Sequence, residues 1–207
     1  MNYSKADLEN ERKLVELAKS DPESFGRLYE MNYDQIFAYT LKRTADTQAA
    51  QDITAETFFK ALKNIHKFKW QNVPFSAWLF RIAINEINLW HRKGSYKAIS
   101  LDGLKDKGFD PVSDDDLEDE LITSQQNLER HAQYMLVQKE LQLIPVKYSE
   151  VIALRFFAGK QLNEISQILG KPEGTVKSLL HRGLEKLKKV MSPRQSNATF
   201  NQRQHYE

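Results

Sequence analysis

A chain of 207 residues fits one or two domains, and the absence of cysteine excludes disulfides and thiolate metal sites. A hydrophobic share of 41% is enough for real cores. No apolar run approaches a membrane span, and the start "MNYSKADLENERK" is too polar for a secretory signal, so the expected setting is cytoplasmic.

The net charge of +2 conceals a pattern. Residues 1–94 hold 14 basic and 12 acidic residues, 95–125 hold 3 and 9, and 126–207 hold 13 and 7. Two basic blocks therefore flank an acidic middle, which points to polyanion contact at two places, although solvated helix faces also produce such blocks.

Helical spacing runs through nearly the whole chain. Residues 5–19 carry Leu8, Val15, Leu17 and Ala18 at that spacing. Asp21-Pro22-Glu23 is a helix start, with Asp as cap and Pro in the first turn, and the helix runs to about Arg43. A third helix spans Thr47 to His66. "KFKWQNV" then breaks the period, and Pro74 opens a helix ending near Lys93-Gly94. Residues 95–125 lose periodicity, hold several glycines and include "DDDLEDE". Carboxylates adjacent in sequence, without a turn-forming ligand loop, make a hydrated linker rather than a metal site. Helical spacing returns at Gln126 and continues to Ile144, then in Val146–Ala158, Gln161–Leu169 and Glu173–Val190. The remaining tail is polar and expected to fray.

No alternating run is bounded by hairpin turns, so the expected fold is all-α. It consists of two helical domains (1–94 and 126–193), a flexible acidic linker (95–125) and a polar tail (194–207).

In the last helix pair, Leu162, Ile165, Ile168 and Leu169 share one face, and Gly170 can take the left-handed conformation that ends the first helix. Val176, Leu180, Gly183, Leu184, Leu187 and Val190 fall on one side of the second helix. Ser178, His181, Arg182, Glu185, Lys188 and Lys189 fall on the other. A short turn between two such helices is a helix-turn-helix signature. Residues early in a recognition helix approach base edges, so Thr175, Lys177, Ser178, His181 and Arg182 are the candidate duplex readers. A plain helical hairpin in a bundle is the bland alternative.

The stretch "HKFKWQNVPFSAWLFRIAINEINLWHRK" (66–93) holds all three tryptophans. Lys67, Lys69, Arg81 and Arg92 supply charge, and Phe68, Trp70 and Phe75 supply rings. Cations follow phosphates while rings stack on unpaired bases, so this interleaving suits single-stranded DNA. Gln71, Asn72, Asn85 and Asn88 add polar groups for base edges. Phe75, Trp78, Leu79, Ile82, Leu89 and Trp90 share a face that reads as core, while Phe68 and Trp70 belong to no periodic core face. Glu86 projects onto the apolar side without a partner visible in the sequence.

These segments together resemble the extracytoplasmic-function class of bacterial RNA polymerase sigma factors, over about residues 8–191. "DITAETFFKAL" resembles the family's core-polymerase-binding helix and "FSAWLFRIAIN" its promoter-melting segment. "IPVKYSEVIALRFFAGKQLNEISQILGKPEGTVKSLLHRGLEKL" resembles its −35-reading domain. The resemblance implies that Asp52, Glu56, Thr57 and Phe58 dock on the polymerase clamp. It implies that the loop Phe68–Phe75 captures a base flipped from the −10 element, that Asn85 lines that element's upstream edge, and that Lys177, Ser178, His181 and Arg182 read the −35 element. Its implied partners are polymerase core and promoter DNA, with an anti-sigma protein as a further candidate. Ala55, Leu89 and Leu179 depart from the family pattern, where Gln, Asn or Asp, and Arg are usual.

The chain has no Gly-rich phosphate loop, and its five His residues and many carboxylates form no metal or nucleophile constellation at usable spacing. Neither catalysis nor a cofactor is expected. The rival expectation is a stand-alone helix-turn-helix regulator in which residues 1–94 sense a ligand or partner.

Overall fold

The structure, a computed structural model, describes residues 5–71, 73–94 and 135–202, with side chains for 6–71, 73–93 and 135–191. Asn72, the acidic linker 95–125 and the helix start expected at Gln126 lie outside the described residues.

Four helices build the first domain: α1 (Lys5–Leu17), α2 (Pro22–Thr44), α3 (Thr47–Asn64) and α4 (Phe75–Gly94). A short 3-10 turn, Ile65–Lys67, follows α3. Asp21 caps α2 as expected, accepting from the Glu23 and Ser24 amides at 3.2 and 2.9 Å. Asp46 caps α3 through the Ala49 amide at 3.0 Å. The core joins Leu28, Ile36 and Tyr39 of α2 to Ile53 and Phe58 of α3 and to Leu79, Phe80 and Ile87 of α4. Each such side chain contributes about 1.5–3 kcal/mol on burial. Thr40 and Thr54 share a buried hydroxyl contact at 2.9 Å between α2 and α3.

Two features of α4 differ from the sequence expectation. Glu86 has a partner after all: Lys60 of α3 approaches it to 2.7 Å. The buried surface is also wider than one stripe. Phe80, Ala83, Ile84 and Ile87 are buried together with Phe75 and Leu79, whereas Trp78, Ile82, Leu89 and Trp90 are only half-buried. The cause is that α4 packs on α2 and α3 and also on α7 of the second domain. A helix held on several sides cannot be read from a single apolar face.

The second domain comprises helical residues 135–141 (α5), α6 (Val146–Phe156), α7 (Leu162–Leu169) and α8 (Glu173–Gln202). Leu141, Ile144, Tyr148, Ile152 and Leu187 form one cluster. Ile165, Ile168 and Val176 are buried beneath the α7–α8 turn. Glu164 accepts from the Gln161 amide at 2.7 Å, closing the first turn of α7. Gly170 ends α7 at φ 62° and ψ 37°, the left-handed cap expected of it. At Gly183 a Cβ would lie 3.1 Å from Ile152 Cδ1, so the glycine lets α6 and α8 approach closely. α8 continues past Val190 through Pro193 to Gln202.

Candidate nucleic-acid interface

On α3, Asp52 is exposed, Glu56 is half-exposed and Phe59 is 59% exposed. Their spacing of four and three residues places them on one face. Gln48 donates to Asp52 at 3.1 Å, and Lys60 pairs with Glu56 at 3.3 Å. Thr57 and Phe58 are different. Thr57 is fully buried and its hydroxyl donates to the Ile53 carbonyl at 2.7 Å. Phe58 is buried with its ring 4.6 Å from that of Tyr29. Both lie buried behind the exposed face of the helix. Phe59 was hidden in the sequence because both phenylalanines fit an apolar stripe.

Between α3 and α4 the loop folds over a ring cluster. The Phe68 ring lies 4.8 Å from that of Trp78, 5.7 Å from Phe75 and 6.4 Å from Trp70. A pocket of about 400 Å³ opens here, lined by Lys67, Phe68, Lys69, Gln71, Trp78 and Arg81 among others. It has an apolar wall and cations around it, and its size falls in the range of small-ligand sites, roughly 300–1,000 Å³. Phe75 has no exposed surface. It forms the floor of the ring cluster, in keeping with its place on the apolar face of α4. Trp78, which the sequence places in the core, packs half-buried against that core and also lines the pocket.

One supporting residue escaped the sequence altogether. Glu11 of α1 is 4% exposed and accepts from the Phe75 amide at 3.1 Å. Burial pushes its carboxyl above the usual range, and the Phe75 hydrogen bond pulls in the opposite direction. Nothing in the apolar spacing of α1 marks it.

Along α4, Arg81, Asn85, Asn88 and Arg92 follow each other at helical spacing on one face. Asn85 and Arg92 are exposed. Arg81 donates through Nε to the Ile168 carbonyl and through Nη2 to the Gln167 carbonyl, the latter at 2.6 Å. Asn88 Nδ2 donates to Glu150 Oε1 at 2.9 Å. Two of the candidate strand readers are thus bonded to the second domain. Near the end of α4, burial and then the charge of Arg43 push His91 down to about 4.

On α8, Thr175, Lys177, Ser178, His181 and Arg182 are all exposed, while Val176 and Gly183 are buried. His181 Nδ1 lies 3.8 Å from Glu185 Oε2, a charged pair only when the imidazole is protonated. Leu179 packs half-buried against both apolar clusters, which explains why a charged residue is absent there. The helix start projects freely, with a width that suits a major groove.

The Sigma-70 region 2 family model matches residues 28–95, and the Sigma-70 region 4 model matches 134–187. The chain is 30% identical over 180 residues to the ECF RNA polymerase sigma factor BldN of Streptomyces coelicolor, covering 86% of this chain and 64% of BldN. It is 29% identical over 185 residues to the ECF RNA polymerase sigma factor SigW of Bacillus subtilis, covering 87% of this chain and 95% of SigW. A solved structure of CnrH in complex with the cytosolic domain of CnrY matches at TM-score 0.60 and 20% identity, covering 88% of this chain and 97% of that one. The sigma factor RpoE in complex with the anti-sigma factor NepR from Bartonella quintana matches at TM-score 0.51 and 21% identity, covering 82% and 98%.

Proposed function

Because the chain belongs to the sigma-70 family of RNA polymerase sigma factors, in its extracytoplasmic-function branch, we propose a division of labour between its two domains. The exposed α3 face of Asp52, Glu56 and Phe59 grips core polymerase. The exposed start of α8 enters duplex DNA at the −35 element, with Lys177, Ser178, His181 and Arg182 as readers. The loop around Phe68 and Trp70 takes an unpaired base of the −10 element into the pocket, and α4 tracks the same strand with Arg81, Asn85, Asn88 and Arg92.

The observation that carries this reading is the pocket between Phe68, Trp78 and Arg81. A stacking wall ringed by cations suits an extruded base beside its phosphates. Stacking is worth about 1–3 kcal/mol per base and offsets the few kcal/mol of unstacking, so no nucleotide hydrolysis is required. The chain acts as a binding subunit in the cytoplasm, not as an enzyme, and an anti-sigma protein is a further partner in this reading.

Gel filtration with purified core polymerase, followed by mapping of transcript starts, tests it. The chain should co-elute, and the mapped starts should share one −35 and −10 motif. Failure to co-elute at any ratio contradicts the reading.

A further inference from the structure

The side chains around the pocket between α3 and α4 differ in what they can tell about a guest. Phe68 and Trp78 offer ring faces, and rings stack on any base because every base has a π-face. Lys67, Lys69 and Arg81 carry charge suited to phosphates and can only donate. The rest of the wall is apolar, apart from Asn64 and Gln71. These two amides are the lining side chains able to accept a hydrogen bond from a base.

They are not equivalent. Gln71 is exposed on the loop, where water competes for its amide. Asn64 is the half-buried last residue of α3, just before the 3-10 turn Ile65–Lys67 leads the chain into the loop. Its Nδ2 donates to the Lys60 carbonyl at 2.8 Å. A carbonyl only accepts, so this bond settles which end of the amide is which. The nitrogen faces its own helix, and Oδ1 is the end left for a guest in the pocket that Asn64 lines. An amide anchored in this way loses little further freedom on binding.

A fixed acceptor selects for a donor. Adenine, cytosine and guanine each carry an exocyclic amino group, and thymine presents a carbonyl oxygen and a methyl group instead. The N3–H of thymine lies between carbonyl oxygens, which Oδ1 repels. Beside Trp78 and the buried Ala77, an acceptor that meets another acceptor is left unpaired with little water to replace the bond.

We propose that Asn64 is the specificity-determining residue of this pocket: its Oδ1 accepts from the exocyclic amino group of the captured base, so the pocket takes adenine, cytosine or guanine and rejects thymine. The inference rests on the capture of an unpaired −10 base by the α3–α4 loop. It adds a rule of selection that neither stacking nor charge supplies. The competing role for Asn64 is to satisfy the Lys60 carbonyl at the end of α3 and nothing more.

The test uses the full chain with core polymerase and a promoter fork from a mapped start, its non-template strand unpaired through the −10 element. An abasic nucleotide placed at each position in turn locates the captured base, as the position where base loss weakens binding in the parent but not in Phe68→Ala. At that position bases of matched size are compared. The parent should bind thymine about tenfold more weakly than cytosine, and purine, which is adenine without its amino group, about tenfold more weakly than adenine. Asn64→Ala should cut both ratios below about twofold. The comparison of bases in the parent needs no variant, so it stands even where Asn64→Ala does not fold.

Thymine held as well as cytosine, or purine as well as adenine, overturns the proposal. So do ratios that persist in Asn64→Ala, the result of a residue that only ends its helix, and ratios that collapse in Gln71→Ala alone. A located base without discrimination leaves capture standing and removes Asn64 by itself. A scan in which no abasic position matters contradicts the capture, and the inference falls with it.

Discussion

The carboxylate of Glu11 holds the amide of Phe75 at 3.1 Å across 64 residues of chain. This bond ties α1 to the first turn of α4, and through Phe75 to the ring cluster beneath the α3–α4 loop. The first amides of a helix have no intrahelical acceptor, so a buried one without Glu11 is left unsatisfied. Glu11→Met should therefore cost about 1–3 kcal/mol in urea unfolding. Glu11→Gln keeps an acceptor and removes a buried charge, so it should match or exceed the parent. Equal losses in both variants would contradict the capping role.

His91 gives the fold an acid sensitivity. Its pKa falls from 6.5 to about 4 because burial and Arg43 disfavour the imidazolium. Between those values the unfolded chain binds more protons than the folded one, so this group's contribution to stability is present above about pH 6.5 and is lost as pH falls toward 4. Glu11 acts with the opposite sign, since its raised pKa makes the folded chain the better proton binder above 4.5. Urea midpoints of the parent and of His91→Gln across this range should show a shallower acid loss in the variant. Identical slopes would remove His91 from the account.

Two glycines should respond in opposite directions to alanine. Gly170 sits at φ 62°, where a Cβ is strained, so Gly170→Ala should lose about 1–2 kcal/mol. Gly26 lies exposed within α2, and a Cβ there meets nothing within 4 Å. Gly26→Ala should gain up to about 1 kcal/mol from helix propensity. Thermal melts of both variants decide it.

The helices and their caps were legible because they are local. Asp21, Pro22 and Gly170 announce their roles through bonds to nearby amides or through their own backbone preferences. The exposed outer face of α8 was legible for the same reason, since one apolar face defines the other. What the sequence concealed is tertiary. Thr57 and Phe58 turn inward because neighbouring helices cover them, and Trp78 borders the pocket as well as the core that its spacing announces. Glu11 and the partners of Arg81 and Asn88 depend on contacts across 62 to 87 residues.

The α3 face and the α3–α4 loop should separate by function. Trp70→Ala or Phe68→Ala should weaken strand opening about tenfold or more, given the worth of a stacked base, and spare polymerase binding. Asp52→Ala with Phe59→Ala should weaken polymerase binding first. Gel filtration against core polymerase, beside fluorescence of a base analogue in the −10 region, reads the two separately. Parallel losses in every variant would contradict the division.

On α8, Lys177→Ala should weaken −35 protection in footprinting and leave polymerase binding unchanged. If Lys177 meets a phosphate, the slope of log affinity against log salt should also drop by about 1. Unaltered protection would remove Lys177 from the readers.

The central claim is that one helical unit grips closed DNA while the other keeps the strands apart. Permanganate reactivity of unpaired thymines at a mapped promoter tests it most directly, with core polymerase and the purified chain at a temperature that permits melting. The account predicts reactive thymines within the −10 region only when chain and polymerase are both present, and their loss in Trp70→Ala. A fully paired −10 region in the complete mixture, at every mapped start, would contradict it.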